Sequence, residues 1–257
     1  PALSIRAAGA TTPSHELAPG HMTKTVAIIQ ARMTSTRLPG KVLADLCGAP
    51  LLARMIARVN RAQHIDAIVV ATTTNAADDD VAGLCRTIGT DVFRGDEADV
   101  LGRMTDAAAV AGADIVVRLT ADCPLHDPAL IDEAVAGFVA GSWDYYGNAG
   151  DRTYPDGLDV EVFSRAALER ANAEAKHPYL REHVTPWLNG SKPEYGSGQL
   201  ARGALRFAAD FAHIRWTVDT DEDLHRVRRL WSLAPEHFTW LQLLAVATRE
   251  PNLLGLA

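Results

Sequence analysis

Val26-Ala27-Ile28-Ile29, followed at once by Gln30-Ala31-Arg32-Met33-Thr34-Ser35-Thr36-Arg37-Leu38-Pro39-Gly40-Lys41, is the stretch that decides the fold. Four apolar residues in a row are too few for a helix, and the loop residues behind them mark a short buried strand. After Pro50 the spacing of Leu51, Leu52, Met55, Ile56 and Val59 predicts an amphipathic helix to about residue 61. The same alternation then repeats. Residues 68–71 read as a strand, and Asp78, Asp79 and Asp80 open a helix to residue 88 at its positive dipole end. Residues 91–93 and 115–119 read as two more strands, with a helix over 99–111 between them. Asp127 before Pro128 marks a capped helix start. Continuous apolar strands separated by helices predict a doubly wound, mainly parallel α/β sheet covered on both faces. In such sheets ligands bind beyond the carboxyl ends of the strands.

From about residue 140 to 205 this rhythm breaks. The segment holds Trp143, Tyr145 and Tyr146, a strand candidate over 158–163, two short helices and a Gly/Ser/Pro-rich loop over 189–203. It reads as an inserted subdomain for dimerisation or acceptor binding. Regular structure returns with a strand over 213–218 and a helix over 221–232. Residues 1–21, rich in Ala, Thr, Pro and Gly, read as a disordered leader or upstream extension, with one domain over 22–257. That length suits a single α/β domain with an elaboration. The net charge of −7 argues against a surface that lives on nucleic acid. Cys47, Cys85 and Cys123 are isolated, which fits a reducing cytoplasm. No apolar run approaches the roughly 20 residues of a membrane span.

Between the first strand and the first helix stand three cations (Arg32, Arg37, Lys41) and three hydroxyls (Thr34, Ser35, Thr36). Dispersed positive charge plus close donors is what a polyphosphate requires, although a solvated basic loop has the same composition. It is not a Walker loop: Ser35 stands where that motif needs Gly, and Val42 where it needs Ser or Thr. Two aspartates follow strands on the ligand edge. Asp122 lies in Thr120-Ala121-Asp122-Cys123-Pro124, where it either faces a ligand or caps the turn before Pro124. Asp219 precedes Thr220-Asp221-Glu222-Asp223, whose carboxylates a helix start explains while leaving Asp219 unexplained. Magnesium takes one or two protein carboxylates together with phosphate oxygens and waters.

The loop resembles the N-terminal motif of the cytidylyltransferases that activate acidic sugars, the CMP-Kdo and CMP-sialate synthetase superfamily. The branch it resembles most is that of spore coat polysaccharide biosynthesis protein F, over about residues 25–229. The resemblance implies a loop around the CTP triphosphate, with Arg32, Arg37 and Lys41 on the phosphates, Ser35 and Thr36 near them, and Gln30 and Ala31 among the nucleotide-binding residues. It implies Mg2+ on Asp122 and Asp219, with Arg32, Lys41 and both aspartates as the catalytic set. Residues 93–101 resemble a nucleotide-contacting segment, which puts Asp99 on the nucleotide or leaves it a helix cap. Thr72, at a strand end, is placed to reach the nucleoside. Residues 154–161 resemble the acceptor side, implying Asp159 and Glu161, which would alternate on one strand face; residues 181–186 add His183 as an acceptor residue or a packing one. The family implies a homodimer, CTP and an acidic acceptor as partners, and in-line attack on the α-phosphorus with loss of pyrophosphate. Another nucleoside triphosphate, a phosphonate acceptor, a nucleotide-sugar-dependent glycosyltransferase and a non-catalytic relative are the alternatives.

Overall fold

The computed structural model describes residues 23–256. The expected leader over 1–21 therefore lies outside the described residues. In chain order the elements are β1 (Thr25–Gln30), α1 (Leu51–Val59), β2 (Ala67–Thr73), α2 (Asp79–Ile88), β3 (Asp91–Gly95), α3 (Val100–Ala111), β4 (Ile115–Thr120), α4 (Pro128–Gly141), β5 (Tyr145–Gly147), β6 (Glu161–Ser164), α5 (Arg165–Glu174), α6 (Pro178–His183), α7 (Pro186–Asn189), β7 (Arg202–Ala204), α8 (Asp221–Leu233) and α9 (Trp240–Ala247).

Among the described residues these strands form one seven-stranded sheet in the order β3-β2-β1-β4-β6-β5-β7. The first four strands are mutually parallel, and β1 pairs with β4 in the register Ile28↔Arg118 and Gln30↔Thr120. The carboxyl ends of β1 and β4 therefore meet at one edge. Successive side chains of a strand point to opposite faces. Ala27 and Ile29 accordingly enter a core with α1, α4, α8 and α9, whereas Val26 and Ile28 enter a second core with α3 and α5. A strand buried on both sides is apolar nearly throughout, which is why β1 and β2 read as unbroken runs and β4 as a run interrupted at Arg118.

Two expectations change. The segment over 140–205 does not stand apart from the sheet. It supplies β5 and β6, which run antiparallel to each other with β6 antiparallel to β4, and β7, which is parallel to β5. The break in rhythm is thus a reversal of strand direction within one sheet. The expected strand over 213–218 does not join the sheet at all. It lies extended against the loop at Asp156, with Asp156 N–H donating to Ile214 O at 2.8 Å and Trp216 N–H to Asp156 O at 2.7 Å. Gly157 permits this approach. Its φ is +107°, and a Cβ there would lie 2.8 Å from the backbone of Trp216 and Thr217.

The aromatic residues of 140–205 do not form one exposed patch either. Tyr145, Tyr154 and Trp187 are buried within the chain, and Trp143 stacks on Tyr146 with both half-buried. The burial of aromatic area inside the fold itself accounts for most of them.

Candidate active site

Beyond the ends of β1 and β4 lies a cleft of about 370 Å³. The loop after β1 wraps it and turns back through Gly40, at φ 74°, into a short 3-10 turn that begins at Lys41. Lys41 is only 8 % exposed, so its ammonium needs partners. It has three: Asp122 Oδ2 at 3.1 Å, Asp219 Oδ1 at 3.0 Å and the carbonyl of Val218 at 2.8 Å. Asp122 follows β4, and its carbonyl accepts the N–H of Val218 at 2.8 Å, which brings Asp219 alongside.

Asp219 is held from its other side as well. Arg37 reaches Oδ2 at 2.8 Å, and Arg215 donates to the same oxygen. Behind it, Asp223 closes a capping box with Thr220 at the start of α8 and also accepts the N–H of Asp219 at 3.0 Å. Burial alone would raise the Asp223 carboxyl, but hydrogen bonds from Arg215 and Arg226 hold it well below the usual carboxylate range. Asp122 behaves likewise: burial opposes its charge, yet the Lys41 ammonium keeps its pKa below the ordinary value.

Two carboxylates thus converge on one cation position, and the Lys41 ammonium stands in it. Hard carboxylate oxygens are the right donors for Mg2+ or Mn2+. No group of three or more His, Cys, Asp or Glu able to hold a metal occurs among the described residues. A divalent ion here would complete its shell from phosphate and water, as Mg2+ commonly does. Asp122 and Asp219 would fit such an ion at the position the Lys41 ammonium takes here.

Gln30, Ala31, Arg32, Ser35, Thr36, Arg37, Lys41, Asp122, His183 and Asp219 all line the cleft. Four expected residues do not. Thr72 is fully buried, and strand alternation puts it on the core side of β2 with Val70; its hydroxyl has no partner among the described residues. Asp99 caps α3, accepting from Gly102 N–H at 2.9 Å, and pairs with Arg181 in a neighbouring depression that it shares with Arg32 and Glu97. Asp159 and Glu161 do not share a strand, because β6 begins only at Glu161. The Asp159 carboxylate is gripped by both terminal nitrogens of Arg152; burial pushes its pKa up to about 6 while Arg152 opposes the rise. Glu161 is buried, with both oxygens bonded to Arg118, Tyr145 and Thr185. An acceptor has no free carboxylate edge to meet there.

The sequence reading missed Arg103. It stands on α3 in the apolar company of Leu101 and Met104, lines the cleft and is 3 % exposed. Burial, reinforced by the charge of nearby Arg32, lowers its pKa, and its Nε has no partner among the described residues. An arginine inside an otherwise apolar helical stretch was the available signal. Opposite it, Glu97 accepts from Thr34 at 2.6 Å and Asn75 at 2.6 Å and lies 3.6 Å from Arg32, which tethers the loop after β1 to the β3–α3 connection.

Comparison with known proteins identifies the family. Spore coat polysaccharide biosynthesis protein SpsF of Bacillus subtilis is 34 % identical over 234 residues, covering 88 % of this chain and 94 % of its own. The 3-deoxy-manno-octulosonate cytidylyltransferase of Anaeromyxobacter dehalogenans is 32 % identical over 79 % of this chain and 96 % of its own. A cytidylyltransferase structure from Leptospira borgpetersenii superposes with a TM-score of 0.84 at 31 % identity, covering 91 % of this chain and 98 % of that one. A CMP-2-keto-3-deoxy-manno-octonic acid synthetase complexed with CTP shares the fold, with a TM-score of 0.60 at 17 % identity. Residues 26–246 match the cytidylyltransferase family as a whole. With a cationic cleft at the carboxyl ends of parallel strands and a paired-aspartate floor, the chain belongs to the cytidylyltransferase family and is a nucleotidyltransferase.

Proposed function

We propose that this enzyme transfers CMP from CTP to an acidic sugar or related acidic small molecule, releasing pyrophosphate, as a step in making a surface polysaccharide. The observation that carries the reading is the Lys41 ammonium spanning Asp122 and Asp219 on the floor of a cleft rimmed by Arg32, Arg37 and Arg103. The relatives whose names specify spore coat polysaccharide and 3-deoxy-manno-octulosonate support the substrate class. CTP is supported by the family.

The chemistry is an in-line displacement in which positioning and charge neutralisation do most of the work. Arg32, Arg37, Lys41 and Arg103 bind the triphosphate and spread the charge that gathers on the departing pyrophosphate. Ser35 and Thr36 add hydroxyl donors at the loop. Asp122 and Asp219 would hold Mg2+, which when bound supplies Lewis-acid polarisation of the phosphate and lowers the pKa of an acceptor hydroxyl. His183, exposed at the cleft and with its ring centroid 4.2 Å from that of Tyr179, is the residue we assign to the acceptor.

We place the enzyme in the cytoplasm, in keeping with its unpaired Cys47, Cys85 and Cys123. No described helix is long and apolar enough to cross a membrane. A homodimer belongs to the same reading. What supports it at the surface is the stacked set His177, Tyr195 and Tyr179, with ring centroids 4.1 and 5.0 Å apart.

The test is pyrophosphate release from each of the four ribonucleoside triphosphates against a panel of acidic sugars and phosphonates. CTP with one acidic sugar should give turnover that excess EDTA abolishes and Mg2+ restores. Turnover with another nucleotide alone, or full activity in EDTA, would discard the reading.

A further inference from the structure

Gln30 ends β1 and lines the cleft, and one end of its side chain is already engaged. Arg118, on the neighbouring β4, donates to Gln30 Oε1 from Nε at 3.1 Å and from Nη2 at 2.9 Å. An arginine has only donors, so the atom turned toward it is the amide oxygen, and the orientation of the amide is not free. The remaining nitrogen, Nη1, donates to Glu161 Oε2 at 2.5 Å and lies 3.5 Å from the Thr185 hydroxyl. Glu161 stands directly opposite Arg118 on β6, 3 % exposed, and takes the Tyr145 hydroxyl on Oε1 at 2.7 Å and the Thr185 hydroxyl on Oε2 at 3.1 Å. Every polar group in this chain of contacts is satisfied except Gln30 Nε2, which has no partner among the described residues.

Stability alone is a weak reason for such a network. A buried ion pair costs desolvation that its attraction only roughly offsets, and apolar replacements of similar volume are often as stable. What the network does that a hydrophobic cluster would not is settle which end of the Gln30 amide meets the cleft.

We propose that Arg118, Glu161, Tyr145 and Thr185 are positioning residues that fix Gln30 as a neutral N–H donor to an oxygen of the bound substrate. The inference rests on the nucleotidyltransferase reading above and deepens it. The Arg32 and Arg37 side chains of the same loop are cations suited to phosphate, whereas Gln30 is the neutral donor at the base of that loop. A site built to donate to a substrate oxygen discriminates strongly against ligands that lack it, because the donor is left unpaired. The oxygen belongs either to the nucleotide or to the acceptor, and kinetics separate the two.

The experiment uses Gln30→Glu, Gln30→Met and Arg118→Lys, with thermal melting and initial rates taken over both substrates. Glu at position 30 still gives Arg118 its acceptor, so that variant should melt at or above the wild-type temperature while losing the N–H donors. Met removes the donors without adding charge. Both should raise the KM of the same substrate by about tenfold, the size of one lost hydrogen bond. A rise in KM for CTP assigns the oxygen to the nucleotide, and a rise for the acceptor assigns it there. Lysine at 118 can still meet Glu161 but cannot fork onto Gln30, and should raise the same KM by a smaller factor. Wild-type KM and kcat in both Gln30 variants would overturn the donor role. An Arg118→Lys protein that melts lower yet keeps the wild-type KM would reduce the network to a structural tie. If the wild-type protein itself binds no CTP and releases no pyrophosphate, the functional reading fails first and takes this inference with it.

Discussion

At the level of single residues, Lys41 has two duties that one substitution separates. Its ammonium bridges Asp122 and Asp219, and in the proposed reaction it also binds the phosphates. Lys41→Met should weaken CTP binding by about 1.5–3 kcal/mol, one to two decades in Kd, as for loss of one charge-assisted contact. It should also lower the melting temperature of the free protein, because two carboxylates then face each other with less compensation. Calorimetric titration with CTP and a melt of the free protein check both, and unchanged Kd would move the triphosphate elsewhere. The same scale shows what a sequence does and does not reveal. Arg32, Arg37 and Lys41 were legible as residues of one cleft because three cations crowd one loop. Glu161 was misjudged because a carboxylate's partner is invisible in one dimension: Arg118 is its neighbour only through the β4–β6 register. Arg103 was passed over because a helix pattern alone does not say which face opens on a cleft.

At the level of elements, the capping box that starts α8 connects site geometry to acidity. Asp223 accepts hydrogen bonds from Arg215, Arg226 and the backbone N–H groups of Asp219 and Thr220. The fold keeps its pKa depressed, so in acid the unfolded chain binds the proton more readily than the folded one. The stabilisation is therefore complete above the unfolded carboxylate value of about 4 and is lost as pH falls below it. Asp223→Asn should destabilise the protein at pH 7 by about 3 kcal/mol, the usual cost of breaking a buried charged network from one side. Urea unfolding across pH 2.5–7 should show the gap between variant and wild type closing below about pH 4. A gap that does not change with pH would assign the loss to packing rather than to charge. The elements also differ in how plainly they were written. β1 and β2 are buried on both faces and so carry unbroken apolar runs, and β4 carries one interrupted at Arg118. β5 and β7 are three residues each, Tyr145-Tyr146-Gly147 and Arg202-Gly203-Ala204, with no periodicity to read. Their pairing depends on long-range register, which is not a local property of the chain.

Across the whole molecule, the aromatic surplus of residues 140–205 is largely spent inside the fold, which leaves His177, Tyr179 and Tyr195 as the surface group on which the proposed dimer would rest. Sedimentation equilibrium at micromolar concentration should give twice the 27.6 kDa chain mass. Tyr195→Ala should shift the equilibrium toward monomer. A concentration-independent monomer mass in the wild-type protein would reject the dimer.

The tie between Lys41 and Val218, 177 positions apart, also sets the order in which a newly made chain acquires its properties. A ribosome delivers the cationic loop and all four parallel strands long before it delivers residues 218 and 219. A chain stopped short of that point carries the loop proposed to bind phosphate but lacks Asp219, one of the two carboxylates proposed to hold the metal. Contacts of such separation also close late when a complete chain refolds. On the proposed mechanism, turnover is then gained only after residue 219 has reached the site, later than the loop proposed to bind nucleotide.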